Sequence, residues 1–260
     1  MNAIISWMAE SSEEFQFILF FGLLFLLMLI EQLFNLRKVT KTKRWRASFV
    51  LSVVAILTMM SVPVTFISAA QYAADMNWGL LKYIQMNWIV VGLLTLLLCG
   101  FISYITHFLM HKVSLLWRIH RVHHLDTELD VSTTVRFHPF EFIANSVIGI
   151  PLILIFGFPV WALMLYELFD VTITLFSHSN FSLPSGIEKI IRYFIVTPDL
   201  HRIHHSSYQP ETNSNYSAVF PIWDILFRTF RTNTQEPQHK MELGLKEVRD
   251  SRANNIIWPM

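Results

Sequence analysis

Three uninterrupted apolar stretches set the first limit on what this chain can become. "FQFILFFGLLFLLMLIEQLF" (15–34), "ASFVLSVVAILTMMSVPVTFISAA" (47–70) and "NWIVVGLLTLLLCGFISYIT" (87–106) each reach the roughly 20 residues that carry a helix across a bilayer. Backbone surrounded by lipid must satisfy its own hydrogen bonds, so such runs fold as helices. A fourth apolar block, 142–177, is interrupted by "FGFP" at 156–159. Gly157 and Pro159 stop a helix there, and the block reads as a hairpin of two membrane helices. Charged residues make up only 15% of the chain, against about 25% in soluble domains. The expected fold is all-α, multi-pass, with about four to five transmembrane helices. Residues 1–106 form N-terminal membrane helices, 107–230 a histidine-rich region that includes the hairpin 142–177, and 231–260 a polar C-terminal tail.

Charge orients these segments. The loop "NLRKVTKTKRWR" (35–46) holds six Lys/Arg, while residues 1–14 hold none and carry Glu10, Glu13 and Glu14. The positive-inside rule then places the loop in the cytoplasm and the N-terminus outside. Carried along the chain, this topology leaves Lys82 as the one base of 20 on the outer side. No basic flank precedes the first run and no small-residue cleavage site follows it, so it is expected to stay as an anchor. With the basic residues committed to orientation and a net charge of +1, nucleic acid is not an expected partner. One cysteine, Cys99, inside an apolar run, excludes a disulfide within the chain and argues against thiolate chemistry.

Histidine is the residue type that the membrane pattern leaves unexplained. "HRVHH" at 120–124 returns as "HRIHH" at 201–205. Residues three and four apart share a helix face, so His120, His123 and His124 point together, as do His201, His204 and His205. His107 and His111 form a further pair with the same spacing. The topology puts all eight, with His138 before the hairpin and His178 after it, on the cytoplasmic side. Spacing alone leaves the roles of His138 and His178 open, and His239 in the polar tail reads as solvent-exposed. Histidine nitrogen binds a metal such as zinc at about 2.0–2.1 Å, and this many imidazoles suit two ions. Imidazole accepts zinc, copper, iron or nickel. A strongly cationic centre under a bilayer suits dioxygen activation against an apolar substrate, for which iron is the fitting metal; zinc would imply hydrolysis. Ligating histidines hand their other N–H to a carboxylate, carbonyl or water. Glu141, Asn180, Asp199 and Asn215 are the side chains expected to do this, with Asp126, Asp170 and Asp224 also near the motifs.

The wording around the histidines resembles the fatty acid hydroxylase/sterol desaturase superfamily of integral-membrane di-iron oxidases. The matching strings are "THFLMH" (106–111), "LWRIHRVHHLD" (116–126), "RFHPFEF" (136–142), "FSHSN" (176–180) and "TPDLHRIHHSSYQPETNSNYSAVFPIWDILFRTF" (197–230). The resemblance implies two non-haem iron ions, dioxygen as co-substrate, and a lipid hydroxylated or desaturated at an unactivated carbon. It implies as metal ligands His107, His111, His120, His123, His124, His138, His178, His201, His204 and His205. One departure is that Ser217 and Arg228 stand where the family often has glycine.

Further expectations follow. "SGIEKIIRYFIV" (185–196) gathers Ile187, Ile190, Ile191 and Phe194 on one face and reads as an interfacial helix. The segment after residue 230 is too short for a haem or flavin module, so a separate ferredoxin, cytochrome or reductase is expected to supply electrons. The rival readings are a histidine-rich membrane metal transporter, which would place ligands near the bilayer midplane, and a zinc-dependent membrane hydrolase, which would need a general base.

Overall fold

The computed structural model describes residues 12–256, with side chains described from residue 15. Glu10 and the side chains of Glu13 and Glu14, on which the orientation partly leans, lie outside the described residues, as do residues 257–260 at the end of the expected tail. The principal helices are α1 (Ser12–Leu33), α2 (Thr42–Met60), α3 (Phe66–Asp75), α4 (Trp88–Lys112), α5 (Ser114–His120), α6 (Glu141–Phe156), α7 (Val160–Ser177), α8 (Ser185–Ile191), α9 (Pro198–His204), α10 (Gln209–Thr212) and α11 (Ile222–Leu226). Among the described residues the one β-type pairing is an isolated bridge between Ser206 and Leu243. The all-α expectation holds.

Phe15–Leu33, Trp88–Lys112 and Val160–Ser177 are long and apolar enough to cross a membrane. Many of their apolar side chains face outward with no protein over them, Phe25 of α1 at 65% exposure among them; such a band is lipid-facing surface. The run 47–70, expected as one span, is instead divided. α2 stops at Met60 and α3 starts at Phe66, because Pro63 cannot continue a helix and biases the residue before it away from helical geometry. Thr65 and Ser68 then cap α3 reciprocally. α2 also begins with Lys43, Arg44 and Arg46, which leaves its apolar part short of a full crossing.

Helix length fixes where the histidines lie. α4 has 25 residues, about 37 Å at 1.5 Å each, so it outruns the ~30 Å hydrocarbon core and carries His107 and His111 at its end. α6 and α7 are the legs of the expected hairpin, turning at Gly157 in the left-handed conformation, φ 65°. A side chain there would strike the Trp78 carbonyl oxygen at 2.4 Å. α3 packs against both legs, and α4 packs against both as well. His178 caps the far end of α7, level with the end of α4.

The segment expected to be a polar tail is built into the fold. Met241, Leu243, Leu245, Val248 and Ala253 are buried, and the Gly244 N–H donates to the His205 carbonyl at 3.0 Å. The α2 end of the basic loop is tied in too. Arg44, fully buried, donates to Asp126 at 2.6 Å and pairs with Asp130.

Candidate metal centre

Two groups of histidines meet where α4, α5, α7 and α9 end. His107, His111, His120, His124 and His204 form one; His123, His178, His201 and His205 form the other. Within each group the nitrogens that would bind an ion all lie within 4.8 Å of one another. The two groups abut, with the His124 and His205 rings stacked at 4.5 Å between centroids. Each His-x-x-His-His set is therefore divided. His120 and His124 serve the first group and His123 the second, whereas His201 and His205 serve the second and His204 the first. The repeated motif is two strands of one interleaved pair of sites.

Hydrogen bonds on the outer edge of the rings assign their tautomers. His107 Nδ1 donates to the Tyr216 carbonyl at 2.7 Å, His178 Nδ1 to the Thr174 carbonyl at 2.7 Å and His204 Nδ1 to the Ser214 carbonyl at 2.8 Å. A carbonyl oxygen can only accept, so Nδ1 carries the proton in these three. His120 Nδ1 lies 2.8 Å from Glu141 Oε1, whose carboxyl burial raises to about 8, and with a metal on Nε2 it would donate to that carboxylate. The three carbonyl-bound rings thus turn an unprotonated Nε2 inward.

Those inward nitrogens face one another. His107 and His120 approach to 3.0 Å, His178 and His123 to 3.0 Å, and His178 and His201 to 2.9 Å, Nε2 to Nε2. His107 brings a lone pair to the first pair and His178 to the other two, and lone pairs gathered this closely suit a cation. With bonds of about 2.1 Å, adjacent nitrogens on a six-coordinate ion would lie about 3.0 Å apart. The Nε2 atoms of His111 and His204, buried and without a hydrogen-bond partner, add two more donors. Burial keeps these rings neutral, as metal ligation requires. It pulls His120 down to about 3 and His178 to about 4, and His124, His201 and His204 well below the usual histidine range. The residues fit a pair of first-row metal ions.

Nine of the ten expected ligands are brought together. His138 lies in neither group; it is buried, and its Nδ1 accepts the Phe140 N–H at 3.1 Å in the turn that leads into α6. Of the side chains expected to steady the ligands, Glu141 makes that contact. Asn180 instead bridges the Arg37 carbonyl at 2.7 Å, and Asp199 accepts from Ser182 and Arg202. Asn215, with φ 54°, donates to the carbonyls of Leu200 and Arg231. In doing so it shapes the loop whose neighbouring carbonyls, Ser214 and Tyr216, hold His204 and His107. Asp224 completes that loop through the N–H groups of Tyr216 and Ser217. The turn around Ser217 is thus settled by Asn215 and Asp224, while Arg228 itself adopts a left-handed φ of 61°.

Fold and site together define an integral membrane protein whose helix ends converge on two all-histidine groups, each able to hold a metal ion. The chain belongs to the fatty acid hydroxylase family, whose sequence profile matches residues 92–229. It is similar to the ornithine lipid hydroxylase of Rhizobium tropici, 36% identical over 138 residues, which are 53% of this chain and 40% of that one. It is similar also to the alkylglycerol monooxygenase of Homo sapiens, 27% identical over 130 residues, 50% of this chain and 28% of the other. A very-long-chain aldehyde decarbonylase of Oryza sativa is 28% identical over 192 residues, 69% of this chain and 29% of its own. The chain therefore spans well under half the length of these relatives. No solved structure matches it.

Proposed function

We propose that this chain is a membrane-bound oxidoreductase that uses two iron ions and dioxygen to hydroxylate or desaturate a lipid at an unactivated C–H bond. The observation that carries this reading is the inward-facing set of neutral Nε2 lone pairs in two groups composed of histidine alone. Iron held there supplies the electron changes that dioxygen activation requires, which zinc does not. His107, His111, His120, His124 and His204 would hold one ion, and His123, His178, His201 and His205 the other. Glu141 and the carbonyls of Thr174, Ser214 and Tyr216 fix ring orientation, and burial of the cluster excludes bulk water. The relatives' names, with hydroxylase and monooxygenase acting on an ornithine lipid and on alkylglycerol, support a lipid substrate. The substrate would enter sideways from the bilayer. A separate electron donor would act from the cytoplasmic face, where the positive-inside rule puts the cluster and the C-terminus, with the N-terminus outside.

Membranes containing the iron-loaded chain and a reductant, exposed to isotopically labelled dioxygen, test the reading. The expected product is a lipid that carries one labelled oxygen or has lost two hydrogens, formed with oxygen consumption. Stoichiometric zinc with hydrolytic turnover and no oxygen uptake would overturn it.

A further inference from the structure

Beside the metal centre, on the far side of the loop that holds His204, lies a pocket of about 310 Å³. Its wall includes Asn213, Ser214, Arg228, Thr229, Arg231 and Asn233. Ser214 belongs to both places, since its carbonyl anchors His204. No acid lines this wall. The nearby Glu211 and Asp224 are buried and already accept backbone N–H groups, from Gln235 at 2.5 Å and from Tyr216 at 2.8 Å. Two arginines therefore line one pocket that has no acidic residue in its wall. Arg228 reaches its position with a left-handed backbone, a conformation that glycine adopts freely and a residue with a Cβ does not.

The surroundings say which kind of anion the pocket meets. α11, which leads into Arg228, leaves Ile222, Ile225 and Leu226 exposed, Leu226 at 63%. Its aromatic side packs on the membrane-crossing part of α4, with Trp223 against Phe101 at 4.9 Å and Phe227 stacked on Tyr104 at 5.4 Å. α8 adds exposed Ile187 and Ile190, and just beyond it Phe194 is exposed while Tyr193 touches Phe230 of the pocket wall at 5.5 Å. Arginine at the edge of such an apolar band sits at headgroup depth, its stem in the hydrocarbon and its charge at the interface. A soluble acidic protein would have to cover the apolar band; a bilayer meets both surfaces at once.

We propose that this pocket binds the phosphate of an anionic membrane lipid, with Arg228 and Arg231 as the anion-holding side chains. The site is distinct from the metal centre and does not depend on lipid oxidation. The test is native mass spectrometry of the full, metal-loaded chain in detergent, with dioctanoyl phosphatidylglycerol as probe. Wild-type chain should retain one lipid. Arg228→Gly and Arg231→Gln should each weaken retention about tenfold, the loss of one charge-assisted hydrogen-bonding group. Arg228→Gly suits its backbone position, so unchanged metal content in that variant would show that the fold survives. Dioctanoylglycerol, which lacks phosphate, should not be retained. Equal retention by wild type and both variants would overturn the proposal. So would retention of dioctanoylglycerol, or displacement of the lipid by equimolar inorganic phosphate. Undiminished lipid binding alongside slower reduction of the metal by a soluble donor would assign the pocket to a protein, and would equally overturn it.

Discussion

Glu141 meets His120 through one carboxylate oxygen, and its other oxygen, also buried, has no hydrogen-bond partner. The contact fixes which nitrogen of His120 faces the metal. Glu141→Ala should therefore lower metal affinity or turnover by about 10–100-fold, the usual effect of losing a partner of a ligating histidine. Glu141→Gln should recover part of the loss, because its amide oxygen can still accept from Nδ1. Metal titration of the three proteins measures this. At this scale the histidines were legible, since their spacing is chemical information that survives in one dimension. Glu141 was legible as well, three residues after His138. The carbonyls of Thr174, Ser214 and Tyr216 were not, because every residue carries a carbonyl and no letter marks the one that will be used. Asn180, Asp199 and Asn215 were expected beside the rings for their polarity, yet they spend their side chains on shaping loops. Their effect reaches the metal centre through backbone.

At the scale of elements, Arg44 ties α2 to the stretch that follows His124. It is buried against Asp126 and Asp130, with Glu128 at the rim, 3.5 Å away. Removing one partner of a buried ionic group strands the others without water, at a typical cost of about 3–5 kcal/mol. Arg44→Ala should destabilise the chain by about that much, read as a fall in thermal midpoint in detergent. Arg44→Lys should restore only part, since an ammonium cannot reach two carboxylates as a planar fork does. In the sequence the basic loop carries only a topological signal, and periodicity does not show that one of its bases, Arg44, turns inward. Pro63 lies inside a run whose hydropathy reads as one span, which hides the break between α2 and α3. The α6–α7 turn is legible, because Gly157 and Pro159 interrupt the apolar block. The packing of the tail is hidden for the opposite reason. Its five buried apolar residues, from Met241 to Ala253, are spaced among charges and form no run that composition would reveal.

For the whole molecule, the chain is a membrane scaffold whose helix lengths place imidazoles from four helices at one level. α4 overshoots the hydrocarbon, α7 ends just before His178, and α9 begins at a Thr197 cap with Pro198 at its first position. The sequence suggested this convergence through charge bias and histidine order. What it could not supply was the division of each His-x-x-His-His set between two histidine groups, which depends on how the chain turns after His120 and on the crossing of α9. The most direct test is the metal content of the purified, iron-reconstituted chain, compared with His111→Ala and His178→Ala, one ligand removed from each group. Two iron ions per wild-type chain are expected, with the loss in each variant falling on a different ion and leaving the other spectroscopically intact. One ion per wild-type chain, or identical loss of all metal in both variants, would contradict it.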